Sequence, residues 1–142
     1  MRLNSLGGSA MRMFIVDDSE VLRSRLVQVL SEIKGIEIVG QAGLVRDAVR
    51  EIRKLAPDIA ILDLEMKDGS GIDILTSIKK NSLPTRFVVF TNYPYLQYRK
   101  KCLDAGADFF FYKATELKKL IDLLKGLLVR QEKSQERSAG KR

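Results

Sequence analysis

The chain has 142 residues, of which 45% are hydrophobic and 30% are charged, a composition typical of one soluble globular domain. It contains no His and one cysteine, Cys102, which excludes an internal disulfide, His-ligated zinc and His-activated nucleophiles. The net charge is +7, no apolar run is long enough to cross a bilayer, and the N-terminus lacks the apolar segment of a signal peptide, so we expect a cytoplasmic protein.

Apolar segments of strand length alternate with segments of helical periodicity along most of the chain. In chain order they predict a strand at Met13–Asp17, a helix from Ser19 to Ile33, a strand at Ile36–Val39, a helix at Val45–Leu55, a strand at Asp58–Leu64, a helix at Ile72–Ile78, a strand at Phe87–Thr91, a helix at Tyr95–Asp104, a strand at Asp108–Tyr112 and a helix at Thr115–Arg130. This (βα)₅ alternation predicts an α/β fold, a three-layer α/β/α sandwich around a five-stranded parallel sheet.

The same pattern divides the chain into three parts. We expect residues 1–10 to form a disordered leader, residues 11–130 the folded domain, and residues 131–142 a basic, polar and disordered tail. From Lys113 to Arg142 there are nine Lys and Arg against four Asp and Glu, so this stretch carries +5 of the total charge. Such a segment either binds an anionic partner or is a solvated helix face, and we favour the solvated face.

Carboxylates end two of the predicted strands. Asp63 closes the apolar run Ile59–Leu62, and Asp17 and Asp18 close the first strand. A carboxylate in such a place is either a solvated strand end or a reactive group, because open α/β sheets bind ligands at the carboxyl ends of their strands. If the two strands are neighbours, three carboxylates converge there, and an all-oxygen site without His or Cys suits Mg²⁺.

With Thr91 ending the fourth predicted strand and Lys113 following the fifth, the chain resembles a response-regulator receiver domain of two-component signal transduction. Asp17, Asp18 and Asp63 complete the set of residues that carries the resemblance. It covers about residues 11–130, and each motif is weak alone but specific in this order at successive strand ends. The resemblance implies a flavodoxin-like fold with strand order 2-1-3-4-5.

The resemblance also implies a chemistry. Asp63 would be the phosphoacceptor that forms an aspartyl phosphate, while Lys113 and Thr91 would contact the phosphoryl oxygens. Mg²⁺ would be held by Asp17, Asp18, Asp63 and the backbone carbonyl of Glu65. The chain would be a phosphoprotein that assists its own phosphorylation and dephosphorylation, and not an enzyme acting on a separate substrate.

Two further pairs of residues follow from the resemblance. Thr91 and Phe110 occupy the positions of a conformational switch, although Phe110 lacks the hydroxyl of the Tyr that is frequent there, and simple core packing explains it nearly as well. Glu65 and Tyr93 stand two residues beyond Asp63 and Thr91, where we expect them to tune the lifetime of the phosphoryl group.

The expected partner is a histidine kinase or phosphotransfer protein that donates the group from a phosphohistidine, and the chain would switch partner binding or relay the group onward. An output partner or a second copy would bind the face formed by the fourth helix, fifth strand and fifth helix, where Leu123 and Leu127 are predicted to be exposed. We expect no small-molecule substrate besides phosphodonors, no membrane span and no nucleic-acid binding.

Alternatives remain open from the sequence. The chain could be part of a longer DNA-binding protein, or a non-phosphorylated scaffold that binds nucleic acid or a membrane through its basic C-terminal segment. An FMN-binding protein is disfavoured, because Asp17 and Asp18 would repel a phosphate at the end of the first strand.

Overall fold

The computed structural model describes residues 10–78, 83–93 and 96–140, with the side chains of residues 138–140 not described. The predicted leader up to residue 9, Tyr95 of the predicted fourth helix, and residues 141–142 of the predicted tail lie outside these ranges. Among the described residues, no helix combines the length and the apolar character that a bilayer span requires.

The described residues alternate between strands and helices. The strands are β1 (Met11–Val16), β2 (Ile36–Ala42), β3 (Ile59–Leu62), β4 (Glu65–Met66), β5 (Gly69–Ser70), β6 (Arg86–Thr91) and β7 (Phe109–Tyr112). The helices are α1 (Glu20–Ser31), α2 (Val45–Leu55), α3 (Gly71–Ser77), α4 (Leu96–Asp104) and α5 (Leu117–Gly140). Strands β4 and β5 form a small antiparallel hairpin that the sequence did not predict.

The other strands form one parallel sheet in the order β2-β1-β3-β6-β7. This is the predicted order 2-1-3-4-5, and the α/β flavodoxin-like fold is confirmed. All four residues of β3 are buried, as expected for a central strand covered by helices on both sides. The carboxyl ends of β1, β3, β6 and β7 therefore meet at one edge of the sheet.

Two apolar clusters fill the space between the sheet and the two layers of helices. One cluster joins the sheet to α2, α3 and α4 and includes Ile52, Leu75 and Cys102. The other joins the opposite face of the sheet to α1 and α5 and includes Leu30 and Leu124. Burial raises the pKa of the Cys102 thiol to about 11, so this residue is a protonated packing group at neutral pH.

Helix α5 differs from the prediction at its C-terminal end. It continues to Gly140, whereas we expected disorder from residue 131 onward. Residues 131–139 are mostly good helix formers, namely Gln, Glu, Lys, Arg and Ala, and no Pro interrupts them, so nothing in the local sequence ends the helix at Arg130.

The predicted exposed leucines of α5 also need correction. Leu127 is buried against the sheet with Leu120 and Leu124, and Leu123 is half-buried. Leu117 is instead 37% exposed, because it starts the helix at the edge of the sheet, where less of the sheet covers it. The buried part of the apolar stripe therefore begins at Leu120, one turn into the helix.

Replacing Gly40 and Gly126 with Ala should change stability in opposite directions. A Cβ at Gly40 would lie 2.6 Å from Cε2 of Phe14, a buried ring that is only 1% exposed, so Gly40→Ala should lower the free energy of unfolding. We expect a loss of about 1–3 kcal/mol from this overpacking.

The matched control is Gly126→Ala in the middle of α5, where a Cβ would meet no described atom within 4 Å apart from its chain neighbours and the backbone of the helix itself. The better helix propensity of Ala should raise the free energy of unfolding by about 0.5–1 kcal/mol. Urea unfolding measures both changes, and a stabilising Gly40→Ala would show that the Phe14 ring is free to move.

Candidate functional site

Asp17 and Asp63 follow neighbouring strands at the same edge of the sheet. Val16 at the end of β1 pairs with Leu62 at the end of β3, so the two aspartates that come next emerge side by side. One carboxylate oxygen from each of Asp17, Asp18 and Asp63 lies within 4.8 Å of the others. The convergence of carboxylates predicted from the sequence therefore occurs, and this group is able to hold a metal ion.

Lys113 supplies positive charge to this acidic cluster. Its Nζ donates a hydrogen bond to Oδ2 of Asp17 at 2.5 Å and to Oδ2 of Asp63 at 2.7 Å. Burial by itself lowers the pKa of Lys113, but the hydrogen bonds and negative charges of the two aspartates outweigh it and leave the pKa above its ordinary value of 10.5. Lys113 is therefore charged throughout the neutral range.

Thr91 fixes the other oxygen of the Asp63 carboxylate. Its hydroxyl is fully buried and donates to Oδ1 of Asp63 at 2.8 Å, and the backbone N–H of Leu64 donates to the same oxygen at 2.7 Å. The N–H of Tyr93 in turn donates to the Thr91 hydroxyl at 3.2 Å. Each oxygen of Asp63 thus has at least one donor, which holds the carboxylate at the cluster.

The segment after Asp63 turns back closely over the site. A Cβ at Gly71 would lie 2.3 Å from the carbonyl oxygen of Asp63, so only a glycine allows this approach. A cavity of about 330 Å³ lies beside the turn, lined by Leu64, Glu65, Met66, Gly69, Ser70, Tyr93 and Tyr98. Both predicted tuning residues, Glu65 and Tyr93, are therefore on the wall of one cavity next to Asp63.

Phe110 is buried beneath α4, and it is 4% exposed. The guanidinium of Arg99 lies 5.9 Å from the centre of its ring, and Tyr112 packs against it edge-on with ring centres 5.2 Å apart. Tyr112 pairs with Thr91 in the register of β6 and β7. Its buried hydroxyl has no hydrogen-bond partner within the described ranges. Phe110 has no hydroxyl, but Tyr112, two residues later in the same strand, does.

Asp68 caps α2, a contact that the sequence did not reveal. It lies in the β4–β5 turn, and its carboxylate accepts hydrogen bonds from the N–H groups of Val45 at 2.7 Å and Arg46 at 3.3 Å. The bond from Val45 is the main cause that lowers the pKa of Asp68. Leu44, at the N-cap position of α2, has no side chain able to cap the helix, and this was the one signal that a cap had to come from elsewhere.

Comparison with known proteins places the chain in a family. Residues 13–125 match the family model of the response regulator receiver domain. The response regulator protein VraR of Staphylococcus epidermidis is 30% identical over 116 residues, which are 82% of this chain and 56% of that protein. The sensory transduction protein LytT of Bacillus anthracis is 31% identical over 115 residues, or 81% of this chain and 46% of the relative. The chain thus spans about half the length of these curated relatives.

Solved structures show the same fold. A CheY-like response regulator receiver domain protein from Methanospirillum hungatei superposes with a TM-score of 0.76 and 26% sequence identity, covering 89% of this chain and 99% of that chain. The order of strands and the positions of the helices are thus shared over almost the whole of that receiver.

Replacing Lys113 with Met should destabilise the fold in a pH-dependent way. The variant leaves Asp17 and Asp63 close together without their counter-charge, and we expect a loss of about 3 kcal/mol at neutral pH in buffer free of divalent cations. The folded-state pKa of Lys113 is raised, so its stabilising effect is complete below about pH 10.5 and is lost as the pH rises through the raised pKa.

Urea unfolding of the wild-type and Lys113→Met proteins, from neutral pH to above about pH 10.5, tests the expectation. Lys118→Met is the matched control, because its side chain is 89% exposed and its removal should change little at any pH. A Lys113→Met protein as stable as the wild type at neutral pH would contradict the role given to this ammonium group.

Proposed function

The chain belongs to the response regulator receiver domain family, and we propose that it accepts a phosphoryl group on Asp63 from a phosphohistidine of a partner protein. One observation carries this proposal: Asp63 lies in contact with Thr91 and Lys113 and within 4.8 Å of the carboxylates of Asp17 and Asp18. A nucleophile, two hydrogen-bond donors and ligands for a cation are thus gathered around one carboxylate.

The transfer follows from the positions of these side chains. A carboxylate oxygen of Asp63 attacks phosphorus, the bond from phosphorus to the imidazole nitrogen of the donor breaks, and its electron pair stays on that nitrogen. Lys113 remains charged, and its ammonium group donates to one phosphoryl oxygen. The Thr91 hydroxyl stops donating to Asp63 and donates to a second phosphoryl oxygen. The protein contributes chiefly positioning and charge to this reaction.

The acidic cluster fits Mg²⁺, because carboxylate oxygens are the ligands that this ion prefers and the described part of the site offers no nitrogen or sulfur ligand. Asp17, Asp18 and Asp63 would hold the ion together with the backbone carbonyl of Glu65. When bound, Mg²⁺ supplies positive charge that balances the phosphoryl oxygens during transfer.

We propose that the domain assists its own phosphorylation and dephosphorylation and does not act on a separate substrate. The phosphoryl group would alter the position of Thr91, the buried strand-end residue that pairs in register with Tyr112. Phe110, packed between Arg99 and Tyr112, would respond by repacking, because it has no hydroxyl to exchange.

Two surfaces offer places for partners. Beside Asp18, Val21 is 63% exposed and Leu22 is 44% exposed on α1, which gives a donor histidine kinase or phosphotransfer protein an apolar surface next to the acidic cluster. On the face formed by α4, β7 and α5, Leu96 is 73% exposed and Leu103 is 40% exposed. This second face would bind an output partner or a second copy of the chain.

Incubation with acetyl phosphate and Mg²⁺ should add one phosphoryl group to the protein, seen as a shift in intact mass. Asp63→Asn removes the nucleophile and should abolish the shift, whereas Asp58→Asn should retain it. Asp58 is the matched control, because it precedes the same strand at the opposite edge of the sheet, where its carboxylate accepts a hydrogen bond from the N–H of Arg12. Unchanged mass of the wild-type protein would favour the alternative of a non-phosphorylated scaffold.

The lifetime of the phosphoryl group should depend on the cavity beside Asp63. Tyr93→Ala should shorten the lifetime several-fold by admitting water, and Tyr93→Phe should leave it close to the wild-type value because the ring is kept. Glu65→Gln removes a negative charge beside the phosphoryl group and should change the decay rate on its own. Decay followed by intact mass tests both, and equal lifetimes for all three variants and the wild type would show that these residues do not tune the reaction.

A further inference from the structure

Arg23 on α1 reaches back to the end of β1. Its Nη1 donates a hydrogen bond to the backbone carbonyl of Asp17 at 2.6 Å, and its Nε donates to Oε1 of Gln41 in β2 at 2.9 Å. One guanidinium therefore joins α1, β2 and the first residue of the acidic cluster. Within the described parts of the chain, Arg23 forms no ion pair with a carboxylate, so its contacts act on the position of the main chain.

Gly43 leaves the room that this guanidinium occupies. A Cβ at position 43 would lie 2.9 Å from Nη1 of Arg23 and 3.6 Å from the carbonyl oxygen of Asp17. The backbone of Gly43 is not in the left-handed region that favours glycine, unlike that of Gly35. An alanine at position 43 would therefore suit its own backbone and conflict mainly with the Arg23 side chain, which would be displaced.

Asp17 is held at several atoms. Its N–H donates to the carbonyl of Ala42 at 3.1 Å, and its Oδ1 accepts a hydrogen bond from the N–H of Ser19 at 2.9 Å. The bond from Arg23 to its carbonyl fixes the peptide plane that follows the Asp17 Cα. The carboxylate of Asp18 lies beyond that plane, so a rotation of the plane about the Cα–C bond of Asp17 would move the Asp18 carboxylate relative to that of Asp17 and disturb the acidic cluster.

We propose that Arg23 is a positioning residue that holds the main chain of Asp17 and thereby sets the affinity of the acidic cluster for a divalent cation. The inference rests on the proposed function, because it concerns the same Mg²⁺ site. Arg23 donates to the main-chain carbonyl of Asp17, so its effect on the cluster passes through the position of that main chain. Gln41 orients the guanidinium, and Gly43 admits it.

Calorimetric titration with MgCl₂ tests the proposal on the whole chain. Arg23→Met keeps an unbranched side chain as far as the position of Nε but removes the guanidinium and its donors, and we expect Mg²⁺ binding about tenfold weaker, as for other groups that orient metal ligands. Arg25→Met is the matched control, because Arg25 is an exposed residue of the same helix. The Mg²⁺ affinity of this variant should equal that of the wild type. Arg23→Lys keeps one donor and should restore part of the affinity.

A double-mutant cycle gives the sharper readout. Gly43→Ala should weaken Mg²⁺ binding when Arg23 is present, because it displaces the guanidinium. It should have little effect in Arg23→Met, where the space is already free, so the two changes should be strongly non-additive. Additive effects, or Mg²⁺ binding by Arg23→Met as tight as by the wild type, would overturn the proposal.

Phosphorylation by acetyl phosphate separates this inference from the proposed function. Arg23→Met should need more Mg²⁺ for half-maximal phosphorylation but reach a maximal rate close to the wild-type rate. A wild-type protein that binds Mg²⁺ and takes up no phosphoryl group would contradict the proposed function alone, and the calorimetric comparison of the variants would still decide the role of Arg23. A wild-type protein that binds no Mg²⁺ would overturn the inference as well.

Discussion

The contact between the ammonium of Lys113 and the carboxylates of Asp17 and Asp63 is the interaction on which the rest of this edge depends. Lys113 follows β7, yet it reaches past β6 and β3 to a residue that follows β1. Two carboxylates so little exposed would repel each other without a positive charge between them. The same contact therefore links the far side of the sheet to its centre and allows the acidic cluster to form.

The fold makes this contact possible because the polar side chains that end or follow these strands lie at one edge of the sheet. The central strands β1, β3 and β6 are mostly apolar on both faces, and the two clusters of buried side chains pack against those faces. Asp17 and Asp63, which follow β1 and β3, and Thr91, which ends β6, thus lie at the carboxyl edge of the sheet, whereas Arg12 of β1 and Arg86 of β6 lie near its opposite edge. Gly71 and Gly43 then permit neighbouring segments to approach the acidic residues more closely than any side chain would allow.

Much of this arrangement could be predicted from the sequence, because it depends on periodicity and on the ends of strands. Asp17, Asp63, Thr91 and Lys113 each stand directly at or after an apolar run, and a parallel sheet brings such positions together. The limits of α5 were less predictable. Its last turns contain no large apolar residue to mark a buried face, and helix propensity alone does not distinguish a solvated helix from a disordered tail.

Other features depend on contacts between distant residues and had no local signal. In the sequence, Arg23 is not distinguishable from the other charged residues of an amphipathic helix. Its contact with Gln41 appears only when β2 is placed beside α1. The β4–β5 hairpin is only two residues long on each strand, too short for any alternation of apolar and polar side chains to appear. Within the part of the chain that the structure describes, the buried hydroxyl of Tyr112 has no hydrogen-bond partner, a property of its surroundings that the sequence of the strand does not show.

The cap that Asp68 provides gives the turn after the phosphoacceptor a mechanical link to another helix. The first amides of α2 donate to a carboxylate from a different segment, so two hydrogen bonds join the start of that helix to the hairpin. A displacement of the hairpin away from α2 would oblige those amides to bind water and would loosen the first turn of α2. A change confined to the loop beside Asp63 would in this way alter the first turn of α2, a helix that has no residue in the reactive centre.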